Sequence, residues 1–240
     1  MTRSRDEEEL REYLGAAYDH ARLVRWQEQL EEEAAGVDEA TLYRTSEAYL
    51  YNLTAFAMTG TKAPYLDVVR ALVPPGGSIL DFGCGIGSDG LVLLEEGYRV
   101  AFADFDNPSV AYLRWRLERR GLAADVLDLD AGALPGGFDL AFAFDVLEHA
   151  SSWDDVLARM EACAALVCVN ALETSPQETS SLLGTLICLP TPRSVGSLVF
   201  SSVIVFSFRC ALSRRAACGA SARSSLRTCW QPRSSPEARR

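Results

Sequence analysis

Residues 79–90 read Ile-Leu-Asp-Phe-Gly-Cys-Gly-Ile-Gly-Ser-Asp-Gly. Gly83, Gly85 and Gly87 alternate there, and glycines so spaced let the backbone turn sharply and let a ligand lie against the main chain. The apolar run Ser78-Ile79-Leu80 predicts a strand entering the turn. Leu91-Val92-Leu93-Leu94 predicts a helix leaving it, whose first N–H groups face the ligand. The next predicted strand, 99–103, ends in Asp104, and an acid roughly 20 residues beyond such glycines is placed to accept both hydroxyls of a ribose. A nicotinamide-dinucleotide site would share these features. Two residues argue against it: Ser88 stands where that pattern wants its last glycine, and Asp81, ahead of the first glycine, would repel a pyrophosphate. A carboxylate at Asp81 suits an ammonium, held directly or through water. A ligand with a nucleoside at one end and an amino acid at the other meets both requirements, and S-adenosylmethionine is such a ligand.

Over about residues 62–170 the chain resembles the class I S-adenosylmethionine-dependent methyltransferases. Asp81-Phe-Gly-Cys-Gly-Ile-Gly is similar to the family's glycine-rich motif, which implies cofactor contacts at Asp81, Gly83, Cys84, Gly85 and Gly87. Asp104 is similar to the ribose-binding acid, with Phe105 beside it. Asp130-Ala-Gly-Ala-Leu-Pro135 is similar to the stretch whose Asp approaches the adenine amine, which implies Asp130 and Ala131; Asp128 is a rival for that role, and Leu129 an alternative contact to the ring. Phe138–His149 is similar to the fourth strand and following turn of the branch that includes quinone-biosynthesis and other small-molecule methyltransferases. In that segment Asp145 is expected either to reach cofactor or acceptor, or to cap the next turn. His149 is the candidate catalytic base, since imidazole titrates near neutrality, and packing between helices is its alternative role. Tyr43, Tyr49, Tyr51, Asn52, Thr54 and Met58 form an aromatic and polar cluster before the core, read either as acceptor pocket or as a helix packed on the sheet. Thr59-Gly-Thr-Lys62 is expected to close over the methionine end, with Lys62 meeting its carboxylate.

These residues need a frame that gathers strand ends along one edge. Strand and helix alternate from residue 78 to 170, with Pro108 opening a helix that Gly121 closes. Leu140-Ala-Phe-Ala-Phe144 is apolar on both faces, as a parallel sheet covered by helices requires. The order predicts an α/β, doubly wound, mostly parallel sheet of Rossmann-like methyltransferase type, whose ligands bind beyond the carboxyl ends of the strands. Asp81, Asp104, Asp130 and Asp145 fall at or just past those ends. Ahead of the core, helices are expected over 5–35, from Asp38 to about Ala57, and over 64–73. The resemblance implies that such helices lie over the cofactor.

Three segments follow: a helical cap over 1–62, a cofactor-binding core over 63–173 and an atypical tail over 174–240. The 240 residues carry a net charge of −10, but the sign reverses at the last boundary. Residues 1–173 hold 31 acids and 14 bases, whereas 174–240 hold 2 acids, 9 arginines and 14 serines. The family pattern expects an antiparallel strand pair to finish the sheet, and the tail offers only the β-prone run Val195–Phe208. At 14 residues that run is short for a membrane span, which needs ~20. A shifted reading frame, a fused unrelated segment, a disordered basic tail and a lone membrane anchor are the candidate explanations.

An acidic body disfavours nucleic acid as a partner. Two histidines and cysteines without ligand spacing predict no metal site. The charged amino terminus lacks a leader pattern, so a cytoplasmic protein with free thiols is expected. The expected activity is methyl transfer from S-adenosylmethionine to a small-molecule acceptor. The alternatives are a non-catalytic or inactive cofactor-binding protein with an incomplete fold, a protein or RNA methyltransferase, and a nicotinamide-dependent dehydrogenase.

Overall fold

The computed structural model describes residues 4–36, 38–173, 181–191 and 204–211. Its first helix, α1 (Arg5–Leu14), starts at Ser4, whose hydroxyl accepts the Glu7 N–H, and carries Asp6, Glu7 and Glu8 in its first turn, where carboxylates suit the helix dipole. A 3-10 turn over Gly15–Ala17, α2 (His20–Val24) and α3 (Trp26–Ala34) follow. The single helix expected over 5–35 is therefore broken. Gly15 takes a left-handed φ of 54° and ends α1, and the Asp19 carboxylate accepts the Ala21 N–H to begin α2. The Tyr51 hydroxyl accepts the Asp19 N–H across the cap, fixing the corner from a distance that local pattern does not register.

Asp38 caps α4 (Glu39–Thr45) through the Thr41 N–H, as expected. That helix does not run on to Ala57. Ser46 breaks it, accepting the Tyr49 N–H at the start of α5 (Ala48–Met58) while donating to Glu33 of α3. The helix α6 (Ala63–Leu72) carries Pro64 in its first turn, where proline lacks no needed donor.

The core then runs β1 (Ser78–Phe82), α7 (Ser88–Glu95), β2 (Arg99–Asp104), α8 (Pro108–Arg120), β3 (Val126–Asp128), β4 (Phe138–Ala143), a 3-10 turn over Leu147–His149, α9 (Trp153–Cys163), β5 (Ala164–Glu173), β6 (Ser181–Pro190) and β7 (Ile204–Ala211). These strands form one sheet in the order β3-β2-β1-β4-β5-β6-β7. β1 lies between β2 and β4 and is parallel to both, and β3 and β5 continue the parallel set on either side. The expected doubly wound, mostly parallel architecture is what forms.

The sheet is apolar on both faces. One face sets Ile79, Phe102, Leu140 and Phe142 against Leu66 and Val69 of α6, Leu91 of α7 and Leu113 of α8. The other sets Leu80, Ala103, Ala141 and Val167 against Met160 and Cys163 of α9. A third cluster docks the cap: Leu10 of α1, Leu23 of α2 and Leu50 and Tyr51 of α5 close over Ile86 and Tyr112.

Two strands lie in the segment after residue 173. Only residues 174–180 separate β5 from β6, too few for the dozen or more that a parallel crossover needs, and β6 returns antiparallel. β7 pairs antiparallel with β6 and takes up the end of the β-prone run; its residues 195–203 lie outside the described residues. Cys168 and Cys188 face each other across β5 and β6 with Cα atoms 4.2 Å apart and are joined as a disulfide, which corrects the expectation of free thiols at these two positions; Cys84 and Cys163 take no part in a disulfide. Among the described residues no helix is long and apolar enough to cross a membrane.

Phe142 is fully buried on β4 and stacks on Phe144 at 4.6 Å. Its replacement by Ala is expected to cost about 3–5 kcal/mol of stability. Thermal melting measures the loss, and a change under about 1 kcal/mol would show that the sheet core is not packed this way.

Candidate active site

The glycine-rich turn folds back over the end of β1. Gly83, Gly85 and Gly87 all hold left-handed φ values, of 69°, 52° and 71°. At Gly83 the restriction is double: a Cβ there would meet Val146 Cγ2 at 2.6 Å. The Gly83 N–H donates to the Ala103 carbonyl at 2.8 Å, which lays the turn across the end of β2.

Asp104 locks that turn. One carboxylate oxygen accepts the Gly85 N–H at 2.7 Å and the other the Phe105 N–H at 2.7 Å. A carboxylate has about four acceptor positions, so each oxygen keeps capacity for a hydroxyl. Burial pushes the Asp104 carboxyl above the usual carboxylate range, against the two N–H bonds and the Arg44 charge, which pull it down. Arg44 lies over the Phe105 ring at 4.2 Å and forks onto the exposed Asp130 carboxylate at 2.7 and 3.2 Å. The hydrogen-bonded guanidinium holds the Asp130 carboxyl below its ordinary value. Asp130 is thus tied to α4. The neighbouring buried Leu129 donates its N–H to the Asp104 carbonyl, and the exposed Ala131 closes a turn on the Asp128 carbonyl.

A second group forms on the β1–β4 side. Asp81 is 4 % exposed, and its Oδ2 accepts the Gly90 N–H at 3.1 Å. Burial, then the Asp89 charge, raises its carboxyl well above the ordinary value, with Lys62 opposing. The Lys62 ammonium sits 3.2 Å from both Asp89 Oδ2 and Asp145 Oδ2 and donates to the Phe144 carbonyl at 3.2 Å. Burial disfavours this charge, yet the two carboxylates outweigh it and raise the ammonium above the usual lysine value. Asp145 stands at φ 58°, left-handed for a residue with a side chain. Asn170 of β5 holds it there by accepting the Asp145 N–H at 2.7 Å and donating to its Oδ1 at 2.5 Å. Asp145 therefore does not cap the following turn; that turn brings up His149, whose Nδ1 lies 2.8 Å from the Tyr43 hydroxyl. The Tyr43 ring meets those of Tyr49 and His149 at 4.9 and 5.0 Å.

The structure thus brings Asp104, Phe105 and Asp130 to one side of the glycine turn and Asp81 and Asp145 to the other. Cys84, between them, has its thiol pushed well up by burial and then by the charges of Asp104 and Asp81, so it is a neutral packing group. Arg44, Asp89 and Asn170 are part of the site and were not singled out from sequence. Only Asn170 carried a local signal, as the polar residue closing the apolar run Leu166-Val-Cys-Val. The turn glycines let Val146, Leu53 and Leu113 pack directly against the main chain, and the acids retain acceptor capacity beside backbone N–H groups. These features fit a nucleoside joined to an amino acid.

Residues 80–169 match the model of the methyltransferase domain. No curated protein matches the chain. Among the solved structures similar to it are the following three. A [4+2]-cyclase, SpnF, is 22 % identical over 49 % of this chain and 48 % of its own, with a TM-score of 0.42. TehB from Haemophilus influenzae is 20 % identical over 54 % and 43 %, with a TM-score of 0.40. Coclaurine N-methyltransferase, bound to N-methylheliamine and S-adenosylhomocysteine, is 17 % identical over 70 % and 56 %, with a TM-score of 0.42. The chain spans about half the length of each of these.

An acid whose folded-state pKa lies above its unfolded value binds its proton more tightly when folded, so the protein loses stability as pH rises through that interval. Asp81 is such a group. Asp81→Asn, whose amide oxygen can still accept the Gly90 N–H, is expected to raise the melting temperature near neutral pH, with the gain fading toward pH ~4. Melting curves across that range check this; a gain independent of pH would show that Asp81 is not held above its ordinary value.

Proposed function

We propose that this chain, whose residues 80–169 match the methyltransferase-domain model, is a class I S-adenosylmethionine-dependent methyltransferase that transfers the methyl group to a small-molecule acceptor. The observation that carries the assignment to these residues is the Asp104 carboxylate fastened to the Gly85 N–H at the end of β2. That contact fixes the turn and leaves acceptor capacity for a ribose. In this reading Asp104 holds the ribose hydroxyls, with Phe105, Asp130 and Ala131 at the adenine end. Gly83, Cys84, Gly85 and Gly87 line the turn. Asp81, Asp145 and Lys62 face the amino-acid end, where carboxylates and one ammonium complement a zwitterion.

The cofactor supplies a sulfonium-activated methyl group. The chain has then to hold the acceptor in line and keep water out, and orientation of this kind accounts for much of the barrier reduction. The proposed acceptor pocket lies between residues 40–62 and the strand ends. Tyr43, Tyr49 and His149 offer it ring faces and polar tips, which suits a flat molecule with one nucleophilic atom. His149 is the proposed base for an acceptor that must lose a proton, oriented by the Tyr43 hydroxyl at its Nδ1.

Calorimetric titration with S-adenosylhomocysteine is expected to give a Kd on the order of micromolar, weakened at least about tenfold by Asp104→Asn. No binding by a folded wild-type protein would sink the assignment. With a phenolic acceptor, His149→Gln is expected to lower kcat by about 10²–10⁴ and leave the cofactor KM unchanged. Equal kcat in the two proteins would remove His149 from the chemistry.

A further inference from the structure

Arg116 of α8 is buried at 1 % exposure and bonded on every side. Its Nε donates to Glu9 Oε2 at 2.8 Å and its Nη2 to Asp6 Oδ1 at 2.5 Å, both in α1. Its Nη1 donates to the Ile86 carbonyl at 3.0 Å and to Ser88 Oγ at 3.0 Å. One guanidinium thus joins the first helix of the cap to the two residues that flank Gly87. Glu9, itself fully buried, is also held by Arg120 at 2.7 and 2.8 Å. Burial alone would raise the Glu9 carboxyl, but Arg120 and Arg116 together hold it below its ordinary value, so it stays charged.

Stability alone does not explain this arrangement, because apolar residues of similar volume hold helices together as well as a buried ion network does. What a guanidinium adds is direction. The Ile86–Gly87 peptide is planar and trans, so its carbonyl and N–H point opposite ways. Arg116 takes the carbonyl, and the Gly87 N–H is thereby aimed at the Cys84 carbonyl, 2.7 Å away. That bond closes the turn containing Gly85, whose N–H reaches Asp104. Meanwhile the Ile86 side chain is buried against Leu10 of α1 and Leu50 and Tyr51 of α5.

We infer that Arg116 is a positioning residue for the glycine-rich turn, and that docking of α1 through Asp6 and Glu9 is coupled to the ligand-binding shape of that turn. The coupling to cofactor rests on the site proposed above; the coupling to the turn does not. Coupling of this kind is reciprocal, so occupancy of the turn tightens α1 as docked α1 tightens the turn.

The test uses the full chain with Glu9→Gln, the milder Asp6→Asn, and Met160→Ala in α9 as a control that loosens the opposite sheet face. Hydrogen exchange is followed without ligand, at a temperature where all four proteins are folded. The expected result is exchange at the Gly85 and Gly87 amides at least about tenfold faster in Glu9→Gln, a smaller increase in Asp6→Asn, and none in Met160→Ala. Exchange at those amides unchanged in both α1 variants, or raised equally in Met160→Ala, overturns the inference whether or not the protein binds cofactor. With S-adenosylhomocysteine, Kd is expected to rise about tenfold in Glu9→Gln, and α1 amides of the wild type are expected to slow. If the wild type fails to bind, the cofactor assignment falls and the exchange result still decides the coupling of helix to turn.

Discussion

Carboxylates gathered at the end of an apolar sheet lose hydration and repel one another, and the rest of the site is arranged around that cost. Asp81, Asp89, Asp104 and Asp145 meet there within a few residues of the buried strands β1, β2 and β4. They are met in three ways. Asp104 is answered by two backbone N–H groups, which the left-handed glycine turn makes available. Asp89 and Asp145 share the ammonium of Lys62. Asp81 has one N–H bond and a raised pKa. A site whose acids were all neutralised by fixed side-chain cations would have nothing to offer a charged ligand. Here neutralisation is partial, which leaves acceptor capacity where a ribose and an ammonium are proposed to lie.

The parts of this arrangement that were legible in sequence are those set by short-range geometry. Alternating glycines after an apolar strand demand a turn with positive φ. An acid at the end of the next strand then follows from the strand-helix-strand spacing, and the boundaries of β1, β2 and α8 follow from Pro108, Gly121 and the apolar runs. The breaks in the cap were not legible, because their causes lie elsewhere in the chain: Tyr51 takes the Asp19 N–H and Glu33 takes the Ser46 hydroxyl. Arg44 was illegible for the same reason. On an exposed helix it reads as a solvated charge, and only the fold brings it over Phe105 and onto Asp130. Lys62 was singled out as a partner for a ligand carboxylate, whereas in the structure its partners are two carboxylates of the chain itself.

The end of the sheet shows a different limit. Residues after 173 carry the reversed charge and serine-rich composition of an unrelated segment, yet β6 and β7 extend the sheet through backbone pairing. β6 (SLLGTLICLP) carries no charge and β7 (IVFSFRCA) only Arg209, so the tail's charge and most of its serines lie outside the two strands and its overall composition hid them. The short link after β5 sets the direction of β6, and the Cys168–Cys188 disulfide joins the two strands covalently. Buried Leu186 beside Cys188 adds this strand to the core that begins at α6.

Two cations connect the cap to the site from opposite ends. Lys62, at the start of α6, reaches Asp89 and Asp145; Arg116, in α8, reaches α1 and the turn. Both reach residues of the segment 86–89, the peptides between the glycine turn and the first turn of α7. A helical cap that merely covered the sheet could be displaced without altering that segment. This one is linked through Arg116 to the Ile86 carbonyl and the Ser88 hydroxyl and through Lys62 to the Asp89 carboxylate, which is the physical basis of the coupling inferred between α1 and the turn. In the proposed site the amino-terminal helices thus hold the turn as well as lying beside it, and the apolar cluster of Leu10, Leu23, Leu50 and Tyr51 around Ile86 packs that linkage.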